Sequence, residues 1–252
     1  MTGIADPYLK LTWAEHHLKL LDFEVSAFSE DKPYSLERYD DPKLQLHIMK
    51  FKLKDVPDRV CLVAGDGIAC MRSSLDYLVW SLARGPGNVV DPYYTQFPIL
   101  ECLDSDSRKR LRRQTAGIPS VALQEIKNFQ PYQRGNSFKT HPLWRLHTLR
   151  NVSEHRRVPA NGSEVIYHGF PQHLETVMKM EPIDDCHTVS VPLAYKTEVQ
   201  FKPAVTVKVN FGWGDPMADP NALSVSKNEL WDTYHFIAET VLPRFIKFFP
   251  AP

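Results

Sequence analysis

Between Pro57 and Arg84 the chain carries Val60, Leu62, Val63, Ile68, Met71, Leu75, Leu78, Val79 and Leu82. This apolar set wraps most of a helix's circumference rather than forming one stripe. A helix that is apolar on nearly all sides must lie at the centre of a core, with other elements against several of its faces. Pro57 and Asp58 open the segment, and the Gly-Pro-Gly run at 85–87 stops it. Gly65 and Gly67 lie inside, where each costs about 1 kcal/mol relative to alanine. Close approach by a neighbouring helix would account for both, with a ligand contact as the alternative.

The elements that must cover this helix can be read in turn. From Asp6 and Pro7 to about Phe28, Leu9, Leu11, Trp13, Leu18, Leu21, Phe23 and Val25 recur with helical spacing. A hairpin follows: residues 34–39, the turn Asp40-Asp41-Pro42, then Leu44, Leu46, Ile48, Phe51 and Leu53 in near alternation. The alternation slips once near Met49, which predicts a bulge. Asp104 caps a short basic helix, and another helix runs from Ser120 to about Phe129. A further helix starts at Thr140-His141-Pro142 and ends near Arg157, with Leu143, Trp144, Leu146, Leu149 and Val152 apolar. Beyond 160 the period changes: residues 164–168, 174–180, 188–194 and 204–211 read as strands. Ser226 and Glu229 form a capping box for a last helix carrying Leu230, Tyr234, Ile237, Val241, Phe245 and Phe248, with Pro243 as a kink. The pattern predicts one α+β domain over 1–252. It has a helical core with an inserted β-hairpin and a C-terminal antiparallel sheet closed by the last helix. An internal seam near 160 separates a helical part, 1–158, from a β-layer with its helix, 159–252.

Composition removes several classes of function. Lys plus Arg and Asp plus Glu each total 30, so there is no basic excess of the kind a dedicated nucleic-acid binder carries. The N-terminus lacks a basic start followed by an apolar run, and no stretch approaches 18 consecutive apolar residues, so neither signal peptide nor membrane span is expected. Cys61, Cys70, Cys102 and Cys186 show no CxxC spacing and read as free thiols, which with the missing signal places the chain in the cytoplasm. GxSxG, GxGxxG and P-loop patterns are absent, and the adjacent His16 and His17 point to different helix faces, so no cofactor and no metal are expected. The run Arg108, Lys109, Arg110, Arg112 and Arg113 is the one local feature able to contact phosphate or RNA; the run itself contains no aromatic residue for base stacking.

One polar constellation joins two helices. Asp66, Arg72 and Asp76 lie on the apolar central helix, with Arg72 and Asp76 four apart and within ion-pair reach. Arg150, Asn151, Glu154, His155 and Arg156 lie on the 141–157 helix, where Asn151 and His155 share a face. If the two helices pack together, these groups converge either as a polar network that fixes register or as the lining of a binding pocket.

The run Gly65-Asp66, then Met71-Arg72-Ser73-Ser74-Leu75-Asp76-Tyr77-Leu78-Val79-Trp80, resembles a signature of uncharacterised bacterial proteins in which GD is followed by RSALDH. Phe97-Pro98-Ile99, Gln130-Pro131-Tyr132, Pro142-Leu143 and Asn151 through His155-Arg156 follow in the same order; family members end that last block with Asn-x-Asp-Lys-His-Arg. The likeness spans roughly 8–157 and implies a fold but no activity. Relatives carry histidine where this chain has Ala69 and Tyr77, which argues against catalysis or metal binding through those positions here. More loosely, the helical part resembles HEPN domains, which include metal-independent ribonucleases with an Arg-x(4–6)-His motif. Arg150 and His155 match it. The implied roles are proton transfer at the ribose 2′-hydroxyl or leaving oxygen for His155, and charge stabilisation on phosphate for Arg150, in a homodimer with both histidines facing one groove. Arg134 and His141 match the same spacing.

Three readings follow. The first is a binding or interaction module on a HEPN-like helical core. The second is a metal-independent ribonuclease of defence or toxin type using Arg150 and His155. The third is a small-molecule sensor or enzyme whose pocket is lined by Asp66, Arg72, Asp76, Asn151 and His155.

Overall fold

The computed structural model describes residues 3–84, 90–155, 160–168, 179–183, 186–198, 202–211 and 223–249. Two 26-residue helices form its centre: α1, Ala5–Glu30, and α2, Asp58–Ala83. They pack along their length. α1 buries Leu11, Ala14, Leu18, Leu21, Val25 and Phe28, which recur every three or four residues and so make one stripe. α2 instead buries residues on several sides, with Val60, Ala64, Ile68, Met71, Leu75, Leu78 and Val79 all fully enclosed. The central position expected from its apolar circumference is the one observed.

The two internal glycines differ from expectation. A Cβ on Gly67 would sit 3.5 Å from Leu18 Cδ2 and 3.6 Å from Cβ of His17, so α1 does lie against it, at ordinary contact distance. A Cβ on Gly65 would meet nothing within 4 Å, so no close helix approach requires that glycine.

Around this pair stand α3, Ser105–Gln114, and α4, Ser120–Asn128; a 3₁₀ stretch, Pro131–Thr140; and α5, Pro142–His155, which packs on α2. His141 caps α5: its Nδ1 accepts the Leu143 N–H at 3.1 Å, so a buried imidazole replaces the usual capping side chain. Helix α6, Lys227–His235, opens with the expected capping box. Ser226 accepts the Glu229 N–H, and the Glu229 carboxylate accepts the Ser226 N–H at 2.8 Å. The other oxygen of Glu229 receives Arg145 of α5 at 2.5 Å. Trp231 Nε1 donates to Asp22 at 2.9 Å and the Tyr234 hydroxyl to Glu15 at 3.3 Å, which staples α6 to α1. Past His235 the helix widens into a π turn over Phe236–Val241 and tightens to 3₁₀ over Leu242–Phe248. Pro243 has no N–H for the ladder, so the expected kink takes the form of this change of pitch.

The strands are β1, Tyr34–Asp41; β2, Leu46–Leu53; β3, Ala160–His168; β4, Lys179–Ile183; β5, Cys186–Pro192; β6, Lys202–Phe211; and β7, Leu223–Ser226. The fold class is α+β. The C-terminal strands, however, do not make one sheet apart from the hairpin. β5 and β4 join it in a four-stranded antiparallel sheet ordered β1-β2-β5-β4, while β3, β6 and β7 form a second, three-stranded one. The expected bulge at Met49 is absent, since β1 and β2 pair in unbroken register from Tyr34 with Leu53 to Asp41 with Leu46. The inward face of β2 is His47, Met49 and Phe51, not the Leu46 and Ile48 that a simple apolar count selects. Of the expected strand at 174–180, residues 174–178 lie outside the described residues, and β7 was not foreseen. Pairing of β2 with β5 runs across position 160, as does packing of α6 on α1. Among the described residues no helix is long and apolar enough to cross a membrane.

Because Gly65 sits mid-helix with open space beside it, Gly65→Ala is expected to stabilise the fold by about 0.5–1 kcal/mol. The urea midpoint of the two proteins, measured at equal slope, checks this.

Candidate functional site

Residues 97–100 belong to no helix and no strand, yet all four are buried. Their backbone groups must therefore find partners among side chains and loops. Asp76, one turn below Arg72 on α2, accepts the Phe97 N–H at 2.8 Å, and Arg72 donates to the Phe97 carbonyl at 2.8 Å. The two side chains pair with each other at 2.9 Å, with Arg72 only 8% exposed. Gln130, fully buried, accepts the Leu100 N–H at 3.0 Å through its amide oxygen and donates to Pro98 O at 2.9 Å through its nitrogen. Arg110 reaches in from α3 to Ile99 O at 3.0 Å, and the Tyr132 N–H donates to Leu100 O at 3.1 Å.

The predicted constellation divides. Arg72 and Asp76 come together, as their spacing requires, and turn toward the 97–100 segment. Asp66 is exposed on another part of α2. Around the half-buried Cys70, burial pushes the thiol pKa up, Lys10 and Arg150 pull it down, and Asp66 pushes it up. Asp66 and Arg150 thus share an electrostatic neighbourhood with Lys10 of α1, whose ammonium also lies 5.6 Å from the Tyr77 ring centroid. Asn151 is exposed and sits 3.3 Å from Nε2 of His147. Glu154 and His155 end α5, but their side chains lie outside the described residues, and Arg156 lies outside them altogether. The rival pair is structural in its contacts: Arg134 donates to the Thr140 carbonyl at 2.9 Å, while His141 caps α5.

His147 was not singled out from the sequence. Burial pushes its pKa down to about 4, and the guanidinium groups of Arg72 and Arg110 add to the effect. It is therefore neutral at pH 7, beside Trp144, whose indole N–H donates to Glu101 at 2.7 Å. No local motif marks His147, because its environment comes from α2 and α3. At the edge of the four-stranded sheet, Asp40 also holds the inward His47 at 2.7 Å and Lys196 at 2.5 Å, beside a cavity of about 330 Å³ reached by Arg38 and Tyr39. The Lys196 and His47 hydrogen bonds lower the Asp40 pKa.

On α3, Asp104 caps the helix by accepting the Ser107 N–H at 2.7 Å, as its sequence predicts. Leu111 is buried, and Arg108, Lys109, Arg112 and Arg113 are exposed. The aromatic residues missing from this basic run are supplied from upstream: the Arg113 guanidinium lies 4.2 Å from the Tyr94 ring centroid. Among the described residues no group of three His, Cys, Asp or Glu side chains could hold a metal ion. Comparison with family models, with curated proteins and with solved structures gave no match.

Two outcomes follow from this geometry. Asp76→Ala removes both the acceptor for Phe97 N–H and the counter-charge of a buried arginine, and is expected to cost about 3 kcal/mol. Asp76→Asn keeps an acceptor oxygen and should lose less; chemical denaturation of both variants tests the order. The second outcome concerns His141, whose pKa burial pushes from 6.5 to about 4. A folded-state pKa below the unfolded one means that the unfolded chain takes up the proton first. The stabilisation is therefore complete above pH 6.5 and is lost as pH falls toward 4, to a total of about 3 kcal/mol. His141→Asn retains a capping acceptor without titrating, so its melting temperature should fall less steeply than wild type over that window.

Proposed function

We propose that this chain is a binding or interaction module, built on a HEPN-like helical core of α1, α2, α5 and α6, with α6 closing the three-stranded sheet. The observation that carries the reading is the commitment of Arg72 and Asp76 to buried backbone at Phe97. These are the central charged groups of the α2–α5 constellation, and their hydrogen bonds serve packing of the 97–100 segment. The same bonds link residues of the RSALDH-like, Phe-Pro-Ile and Gln-Pro-Tyr blocks in this chain: Asp76, residues 97–100 and Gln130 are parts of one network. Packing of α5 on α2 and of α6 on α1 supports the four-helix core, and contacts of α6 with β6 and β7 support the closure.

The reading is tested by incubating purified protein with end-labelled RNA in EDTA, with His155→Ala and Asp76→Asn run in parallel. Intact RNA in all three samples is the expected result. Cleavage leaving 2′,3′-cyclic phosphate ends, lost in a folded His155→Ala variant, would replace the module by a metal-independent ribonuclease using Arg150 and His155.

A further inference from the structure

The basic helix and the turn before it make a surface that neither shows alone. On α3, Leu111 points to the core and Arg110 is held at Ile99 O. Arg108, Lys109, Arg112 and Arg113 then fall at helical spacing on the outward arc. Among the described residues, Asp104 is occupied as the cap, Asp91 accepts the Tyr93 N–H, and Asp106 lies 3.2 Å from Lys109 in a pair that is largely solvent-exposed on both sides. Such a pair contributes little and is readily displaced. The outward arc therefore keeps a net positive charge.

Residues 91–95 bring two tyrosines to the end of this arc. Asp91 folds the turn by accepting the Tyr93 N–H at 2.9 Å, and Thr95 closes it with a hydroxyl bond to Asp91 O at 2.6 Å. Gln96 N–H then bonds Gln114 O at 3.3 Å, which fixes the turn to the C-terminal end of α3. Tyr93 is left 84% exposed and Tyr94 44% exposed, with Arg113 stacked on the latter. An aromatic ring this exposed, beside a cationic arc and on an anchored turn, suits flat, electron-rich rings joined by phosphates.

We propose that α3 and the 91–95 turn bind single-stranded nucleic acid, with Arg108, Lys109, Arg112 and Arg113 meeting phosphates and Tyr93 and Tyr94 receiving base faces. This rests on the reading of the chain as a binding module and supplies its partner. Base–aromatic stacking is sequence-tolerant, and phosphate contacts carry no base information, so the surface selects strandedness rather than sequence.

The test is fluorescence anisotropy of the full chain with labelled oligouridylate and oligothymidylate of about 16 nucleotides, the upper range for such sites, in EDTA. A duplex and heparin serve as comparisons. Four neutralised phosphates predict a slope of log K against log salt of about −3. Arg112→Glu with Arg113→Glu should abolish binding, and Tyr93→Ala with Tyr94→Ala should weaken it about 10-fold or more while leaving the salt slope unchanged. RNA and DNA arms that bind equally assign the contacts to bases and phosphates; preference for RNA adds the 2′-hydroxyl. Lack of binding to either single strand at low salt overturns the proposal, as does heparin or duplex binding that is equally tight and indifferent to the tyrosines. The oligonucleotide is run on a gel afterwards. Loss of binding with intact RNA defeats this surface alone, whereas His155-dependent cleavage defeats the module reading beneath it.

Discussion

A segment buried outside any helix or sheet sets the main constraint on this fold. Residues 97–100 are buried and join no strand, so their backbone groups draw on side chains and a turn for partners. Asp76 and Arg72 from α2, Arg110 from α3, and Gln130 with the Tyr132 N–H from the turn after α4 supply such partners. Leaving any one of them out would strand a polar group in the core at a cost of about 1–3 kcal/mol, a large share of the margin that keeps a domain folded. The position of α3 and of the Gln130 turn relative to α2 is therefore fixed by hydrogen bonds as well as by apolar contact.

This changes how charge on the central helix is understood. A buried arginine paired with an aspartate four residues on invites a functional interpretation, and perturbed ionisation in a cleft would strengthen it. Here the pair spans one turn of α2 and holds Phe97 through both its N–H and its carbonyl. Charge is useful in that role because charge-assisted hydrogen bonds are stronger than neutral ones. It also has an electrostatic consequence nearby: burial is the main cause that lowers the His147 pKa, and Arg72 and Arg110, held in place for the backbone, add to it. A histidine on this face is thus conditioned chiefly by the packing arrangement, with Asn151 the neighbour on its own helix.

What was legible in the sequence follows from the range of the interaction concerned. Helix α2 and its centrality, the Asp104 cap and the Ser226–Glu229 capping box depend on residues within a few positions of one another, and each is present. The Arg72–Asp76 contact is of the same kind. Its purpose was not legible, because residues 97–100 have neither helical nor strand period to announce that they are buried. Strand partnership failed for a related reason. Alternation in β2 says which residues could face inward, but its partner β5 comes from much later in the chain, and the residues that are buried are His47, Met49 and Phe51. The extra apolar residues Leu46 and Ile48 then look like a slipped register, although the ladder with β1 is continuous. Gly65 was over-interpreted in the same way, as a contact where there is open space.

The basic helix shows how a local charge run acquires meaning only from its anchorage. Five cations in six positions would repel one another on an isolated helix and weaken it. In the folded chain, Leu111 is buried and each of the five cations has a partner: Arg108 at Leu103 O, Lys109 at Asp106, Arg110 at Ile99 O, Arg112 at Arg108 O, and Arg113 over Tyr94. The aspartates at the first turn, Asp104 and Asp106, are placed where the helix dipole favours negative charge, and Arg112 and Arg113 lie in the last turn, where it favours positive charge. The arrangement is consequently stable as it stands, and the charge left on its outward arc is held in a fixed pattern by the same contacts that satisfy the buried segment. The interior hydrogen-bond problem at residues 97–100 and the exterior character of α3 have one solution, because Arg110 belongs to both.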